Sequence, residues 1–288
     1  MKLSFFSLTI FLSFLFSLMT AHGQPKIFRI ISYNVYEGMS KDTAANKTAF
    51  TKWIKEKDPD VIAFQEMNKF TQPRLEEFAR SYGHAYAVLL KENGFPVAIT
   101  SKYPIVNTEK VIDNMHHGFI KATIKGITFF VVHLSPSKYW KRQEEIDLVL
   151  STASSGNKTK AIILGDFNAQ SPQDSFFYKD GKMAGVQKLL HSKYPVYDNL
   201  KNGNLDYNVI RTVLSNGFTD PLFDSKKLNI SFDAAIQGDP DLKDNVTRID
   251  YILLGSHFKG KTKKAFIIRD EFALKMSDHY PVIVELDY

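Results

Sequence analysis

Lys160-Ala-Ile-Ile-Leu-Gly-Asp-Phe-Asn168 is the stretch that leaves the chain fewest choices. Ala161 to Leu164 form an unbroken apolar run, which reads as a strand buried on both faces. Gly165 then removes the side chain where the backbone bends or another group comes close. Asp166 and Asn168 follow two apart, so an extended backbone points both to one side while Phe167 turns into the core. A carboxylate and an amide leaving a buried strand together can accept protons, orient water and donate hydrogen bonds to an oxyanion. The plainer alternative is that both residues only stop the strand as turn formers. The rest of the chain decides between the two.

The chain opens on Lys2 and an almost wholly apolar run from Leu3 to Met19. Ala21-His22-Gly23 offers small residues where a signal peptidase reads, which predicts a signal peptide over residues 1–23. An uncleaved anchor is the alternative, because the run nearly spans a bilayer. The cleavage site directly after it favours removal, hence a secreted or periplasmic protein with no stable membrane insertion. Cysteine is absent, which removes a lipid anchor on an N-terminal Cys, disulfide staples and thiolate chemistry. Residues 24–288 must stand on their core, and nothing among them resembles a linker, so one domain and a monomer are expected. A formal charge of +6 suits an anionic substrate without proving one.

Along the chain, Ile27 to Val35 and Val61 to Phe64 read as strands, the first ending in a polar loop at Glu37 to Asp42. Phe50, Trp53 and Ile54 recur at helical spacing within Thr43 to Lys57, and Pro73 to Tyr82 reads as a second helix. Four β-rich runs follow, at Ala85–Leu90, Val97–Thr100, Ile105–Ile112 and Phe119–Ile124, and then Thr128–Leu134 after a turn at Gly126. Ser137 to Leu150 is amphipathic. Pro172 to Asn216 reads as loops and short helices over one end of the domain, a substrate rim. Val246–Leu254, Ala265–Ile268 and Val282–Leu286 close the chain, the first two as an expected hairpin whose turn carries Lys259, Lys261, Lys263 and Lys264. Two sheets packed face to face with helices outside is the economical architecture.

Polar residues that burial does not explain stand at the ends of these strands. They are Asn34, Glu66, His133, Asp166 with Asn168, Asp250, and the group Ser277-Asp278-His279. Each has a bland reading: a turn former, a solvated end, a satisfied core histidine, or, for Asp250, a partner for Arg248. Their recurrent placement at strand ends instead gathers them at one end of a sandwich.

Tyr33-Asn34-Val35, Gln65-Glu66, His133-Leu134, the Gly165–Asn168 run, Arg248-Ile249-Asp250-Tyr251-Ile252 and Ser277-Asp278-His279-Tyr280-Pro281 resemble the motif set of the endonuclease/exonuclease/phosphatase superfamily. The resemblance covers almost all of the chain after the apolar run, in order. It implies an α/β four-layered sandwich of the deoxyribonuclease I-like type, with two mostly antiparallel sheets and helices outside. It also implies a phosphoesterase using Mg²⁺ or Mn²⁺, with Ca²⁺ a further option. By the same resemblance Glu66 is the principal metal ligand, completed by Asn34 and Asp278 directly or through water. His279 faces the phosphate with Asp250 as its carboxylate partner, and Asp166 orients or deprotonates water. Asn168 bonds phosphoryl oxygens, and His133 is a second histidine able to protonate the leaving oxygen. Arg142 matches a frequent family arginine offered to substrate, with a surface pair to Glu144 or Glu145 as the other reading. The chain departs from the family pattern at Tyr36, where many members carry an acid.

These motifs specify phosphoryl chemistry, whereas the variable loops choose the substrate. DNA or RNA is taken first, which requires basic and aromatic residues on the rim. Phosphorylated sugars, inositols or lipid head groups are the alternative. A catalytically silent binding module on the same scaffold is the reading from a different class.

Overall fold

The computed structural model describes residues 27–224 and 247–288. The signal-peptide expectation for residues 1–23 lies outside the described residues, as does Val246. The strands are β1 (Ile27–Asn34), β2 (Val61–Gln65), β3 (Tyr86–Leu89), β4 (Ala98–Ser101), β5 (Ile105–Val111), β6 (Phe119–Ile124), β7 (Ile127–His133) and β8 (Ala161–Asp166). After them come the small pair β9 (Leu200–Lys201) and β10 (Asn204–Leu205), then β11 (Asp250–Leu254), β12 (Thr262–Ile267) and β13 (Val282–Asp287).

Two large sheets result, ordered β12-β13-β1-β2-β4-β3 and β11-β8-β7-β6-β5. Successive side chains of a strand face opposite sides, and here both sides are covered. In β1, Phe28 and Ile30 join the layer between the sheets, where Val61 and Ile99 meet Ile120, Phe129, Ile162, Leu164 and Ile252. Their neighbours Ile31 and Tyr33 turn outward to Phe50, Trp53 and Phe78 on the helices Thr48–Lys57 and Gln72–Ser81. The second sheet turns Phe130, Val132 and Ile163 outward against the helices Tyr139–Ser154 and Asn208–Ser215. The layers are therefore helix, sheet, sheet, helix, as the resemblance implied. Burial on both faces is why Ala161–Leu164 is apolar without alternation.

Parallel pairing positions the site. Most neighbours within the two sheets run antiparallel, but β1 pairs with β2 and β7 with β8 in parallel. Asn34, Gln65, His133 and Asp166 are therefore C-terminal strand ends, and all lie at one end of the sandwich. Antiparallel β11 starts there, with Asp250 opposite Asp166. Antiparallel β13 also starts there, with Val282 opposite Ser32. Gly165, opposite Val132 in the parallel pair, has φ 140°, and a Cβ on it would lie 2.0 Å from Val132 O. Only glycine fits that approach.

The expected hairpin between the Asp250 and Ala265 strands does not form. β11 is an edge of the second sheet beside β8, whereas β12 pairs with β13 in the first. All five residues of β11 are buried, while all six of β12 are half-buried or exposed. Gly255 N–H bonds Ala161 O, and the chain then crosses between sheets through the lysine-rich segment. The rim stretch is also more ordered than its polarity suggests. It holds a 3-10 segment Pro172–Tyr178, a twelve-residue helix Lys182–Lys193, the β9–β10 pair and the Asn208–Ser215 helix. The Lys182–Lys193 helix buries Met183 alone, so it carries almost no apolar period to read.

Candidate active site

Backbone strain marks this end of the sandwich. Tyr36 and the first three residues of the expected polar loop, Glu37, Gly38 and Met39, form one left-handed turn with φ of 53°, 48°, 71° and 59°. Glu66 (φ 61°) and Asn168 (φ 48°) share that conformation, which costs a non-glycine residue about 1 kcal/mol or more. Hydrogen bonds hold it. Gly38 N–H reaches Glu66 O at 2.6 Å, Glu37 N–H reaches Glu66 Oε2 at 2.9 Å, and Tyr36 N–H reaches Asn34 Oδ1 at 3.2 Å. Asn168 N–H reaches Asp166 Oδ1 at 2.8 Å. The pair Asp166 and Asn168 is thus set by a turn bonded back on itself, not by strand alternation. Phe167 does enter the core, edge-on to Tyr251.

Asn34, fully buried, is the hub. Its Oδ1 is occupied by Tyr36, so Nδ2 faces the site, 3.1 Å from Glu66 Oε1 and 3.1 Å from Asp166 Oδ2. His279 Nδ1 lies 2.7 Å from Asp250 Oδ2. Its Nε2 lies 3.5 Å from Asn34 Nδ2 and 3.8 Å from Asp166 Oδ2. Ser277 Oγ donates to Asn34 O at 2.8 Å and accepts from His279 N at 3.1 Å, tying that loop to β1. Asp278, half-buried, lies beside Ser277 Oγ. Burial works against charge on the His279 imidazole, but the Asp250 and Asp166 carboxylates outweigh it and hold the pKa well above its ordinary value. Burial, and then the Asp250 charge, push the Asp166 carboxyl up to about 7, against the pull of His279 and of the bonds from Asn168 and Asn34.

His133 forms the other wall, 3% exposed, with Nε2 3.6 Å from Asp166 Oδ2. His117 stacks on it with ring centroids 4.1 Å apart, and Phe95 meets His117 edge-on. Burial, then the neighbouring imidazoles, push the His133 pKa well down. One of the two site histidines is thus kept charged and the other neutral.

Two residues of the Tyr139–Ser154 helix hold that wall. Glu145 is fully buried and accepts His116 N–H at 2.5 Å and Ser135 N–H at 2.7 Å, bolting the His117 loop to the end of β7. Arg142 is 3% exposed and donates to Ser135 O and Asn199 Oδ1. The expected surface pair between Arg142 and Glu144 or Glu145 does not exist, because both Arg142 and Glu145 face inward. The guanidinium's placed bonds tie the loop after β7 to Asn199 and do not point toward solvent, where a substrate would meet it. Sequence reasoning missed Glu145 and His117. Helical charge pairs disguised the first, and the His116-His117 pair reads as no more than a polar turn. Arg248 likewise leaves Asp250 to His279 and bonds Asp174 and Asp220 instead.

The donor set fits a divalent cation. Asp166, Asp250 and His279 have ligand atoms within 4.8 Å of one another, but Asp250 and His279 are committed to each other. Glu66, half-buried beside Asn34, and Asp278 add hard oxygen donors of the kind Mg²⁺ and Mn²⁺ take. The carboxylates outnumber the single imidazolium, and burial together with the Asp250 charge already raises the Asp166 pKa. In the orientation seen, Asn34 gives this cluster N–H donors rather than an oxygen ligand.

Paired sheets with acids, amides and two histidines gathered at one end define a hydrolase of phosphoric esters. The family described as "Endonuclease/Exonuclease/phosphatase family" matches residues 31–279, and the chain belongs to that family of hydrolytic phosphoesterases, whose members typically depend on divalent metal. Among solved structures, a 3′-5′ exonuclease from Neisseria meningitidis superposes with a TM-score of 0.67 at 19% identity, covering 91% of this chain and 100% of its own. An AP endonuclease from Archaeoglobus fulgidus gives 0.65 at 18%, with 91% and 100% covered. A 3′ phosphatase from Neisseria bound to a product DNA hairpin gives 0.64 at 19%, again with 91% and 100% covered. No curated protein sequence matches the chain.

Proposed function

We propose that this chain is an exported, divalent-metal-dependent phosphoesterase, with nucleic acid as its substrate class. The observation that carries the chemistry is His279, held charged between Asp250 and Asp166 beside Glu66 and Asn34. Its Nδ1–H donates to Asp250, so its Nε2–H is left for a phosphoryl oxygen or the departing oxygen. Asp166 accepts the proton of the attacking water through Oδ2, the oxygen that faces both histidines. The second amide hydrogen of Asn168, whose first donates to Leu134 O, stabilises charge on the phosphoryl group, while Asn34 Nδ2 uses both its hydrogens to orient Glu66 and Asp166. Water's oxygen bonds phosphorus as the ester P–O bond breaks, and the proton lost to Asp166 is matched by one given to the leaving oxygen. A neutral His133 has no proton of imidazolium acidity to give, which favours His279 as donor. Glu66 and Asp278 would hold Mg²⁺ or Mn²⁺, which when bound neutralises phosphoryl charge.

Support for nucleic acid comes from the neighbours whose names state action on it, the 3′-5′ exonuclease and the 3′ phosphatase bound to DNA. Export rests on the apolar run and the Ala21-His22-Gly23 site. The test is purified protein, stripped with chelator and reloaded with Mg²⁺, Mn²⁺ or Ca²⁺, against DNA, RNA, inositol phosphates, sphingomyelin and a bis-aryl phosphodiester. Chelation should abolish hydrolysis and Mg²⁺ or Mn²⁺ restore it. Full activity without metal would remove the metal from the reading, and Glu66→Gln with unchanged metal dependence would remove Glu66 from the metal site.

A further inference from the structure

The ends of three strands that carry site residues each continue into an aromatic ring with a lysine over its face. Tyr36, two residues past Asn34 at the end of β1, has Lys41 Nζ 4.7 Å from its ring centroid. Trp140, seven past His133 on β7, has Lys138 Nζ at 5.2 Å. Phe176, eight past Asn168 beyond β8, has Lys179 Nζ at 5.1 Å. All three thus stand on segments that leave strand ends carrying site residues. Trp140 is 42% and Phe176 70% exposed, Phe176 being more exposed than any other large apolar side chain described. Two further facts tie two of the rings to the site. The Tyr36 N–H bonds Asn34 Oδ1, and the segment bearing Phe176 is anchored by the buried bond from Arg248 to Asp174, two residues from Asp250.

We infer that Tyr36–Lys41, Trp140–Lys138 and Phe176–Lys179 form a binding rim for single-stranded nucleic acid, deepening the reading above. Each unit offers a π face for one base and an ammonium for the adjoining phosphate, the pairing of chemistries that a strand repeats along its length. Bases inside a duplex are stacked on each other and cannot use such faces, so the rim prefers a single strand. A lysine over one face leaves the other for a base. A bilayer would also accept aromatics and lysines. The rings, however, stand on separate segments that leave the site-bearing strand ends, not on one amphipathic stripe.

The opposite end of the sandwich supplies a control, where Lys125 Nζ lies 4.7 Å from the Tyr103 ring and 5.0 Å from Tyr288. The experiment uses the full chain carrying Asp166→Asn, so that binding is read without turnover, and follows tryptophan fluorescence, since Trp53 is buried and Trp140 is open. A short thymidine oligonucleotide should quench the signal. Phe176→Ala, read by fluorescence, and Trp140→Ala, read by anisotropy of a labelled strand, should each raise Kd about tenfold. Tyr288→Ala should leave it unchanged, and thermal melts establish that every variant is folded. An abasic strand of equal length and a blunt duplex should each bind about tenfold more weakly than the thymidine strand. Equal binding of the abasic strand or polyphosphate would reduce the rim to charge and overturn the inference. So would equal binding of duplex, or tighter binding of phosphatidylglycerol vesicles. Hydrolysis of the bis-aryl diester by the unsubstituted enzyme is scored separately. If it persists while the rim fails, only the inference falls; if no ester is cleaved, the proposed function falls with it.

Discussion

Two buried charge clusters sit two residues apart in sequence, on either side of Ile249, and they were built to opposite specifications. Arg248 places Nε 2.8 Å from Asp174 Oδ2 and Nη1 2.6 Å from Asp220 Oδ2, with all three side chains at 2% exposure or less. Burial opposes the charge of this guanidinium, yet Asp220 and Asp174 hold its pKa above the ordinary arginine value. A planar fork with five donors meets two carboxylates at short range. Asp250 and Asp166 face an imidazole instead, which has only two donors. One goes to Asp250 at 2.7 Å, and Asp166 is left at 3.8 Å, beyond hydrogen-bond reach. In the first cluster each acid takes a short bond from the one guanidinium, and the cluster holds the structure. The second is short of positive charge and donors, which is the condition a site needs if a cation and a phosphate are to complete it.

The largest expected effect is on catalysis. His279→Ala and Asp250→Asn should each lower hydrolysis by about 10³-fold or more, and the double variant little further, because the carboxylate acts only through the imidazole. Losses that multiply in a double-mutant cycle would assign Asp250 a task of its own. Both variants should melt within a few degrees of the parent, since the pair stands at the open end.

Stability should answer in the other cluster. Arg248→Met leaves Asp174 and Asp220 buried without their cation and should cost about 3–5 kcal/mol in denaturant unfolding. A loss under about 1 kcal/mol would mean that water, not Arg248, satisfies those acids. Asp166→Asn should invert the pattern by removing activity without lowering the melting temperature. Neutralising a carboxyl that burial and Asp250 already disfavour relieves the crowding. A drop as large as that of Arg248→Met would show that the site cluster is structural after all.

The smallest effect belongs to a buried histidine bonded only to neutral groups. His84, 1% exposed, lies with Nδ1 2.8 Å from Thr100 Oγ1 and Nε2 2.9 Å from Pro59 O. Pro59 O can only accept, so Nε2 carries the proton and Nδ1 accepts from Thr100. Burial pushes its pKa down to about 4, and Lys102 adds to that, against the bond to Pro59 O. Between the ordinary value of 6.5 and about 4 the unfolded chain binds the proton and the folded one does not, so stability falls as pH falls across that window. The loss attributable to His84 is up to about 1.4 kcal/mol per pH unit. Unfolding curves of the parent and His84→Gln over that range should converge as pH drops. Parallel curves would mean that His84 already charges in the fold.

The pairing of Asp250 with His279 was legible because the motif set is dense and ordered. So were the buried β8 strand and the close approach at Gly165, which follow from residue type and local period. The hairpin error has a plain cause: sequence proximity favours pairing neighbours, but β11 had two faces to bury and β12 had one. Arg142 and Glu145 were misread because i,i+3 spacing describes a pair on a free helix and says nothing of which side faces a sheet.

By itself, then, the sequence determined the layered architecture, the strand ends that carry chemistry and the type of each reacting group, because periodicity and residue type are local properties. Only the tertiary structure decided that Asn34 turns its N–H donors to Glu66 and Asp166, that Glu145 braces the His133 wall, and which histidine is charged. Those outcomes depend on distance and burial between residues far apart in the chain. An imidazole 2.7 Å from Asp250 is held as a cation, and one stacked on His117 away from water is held neutral, although both are the same residue at the same end of the fold.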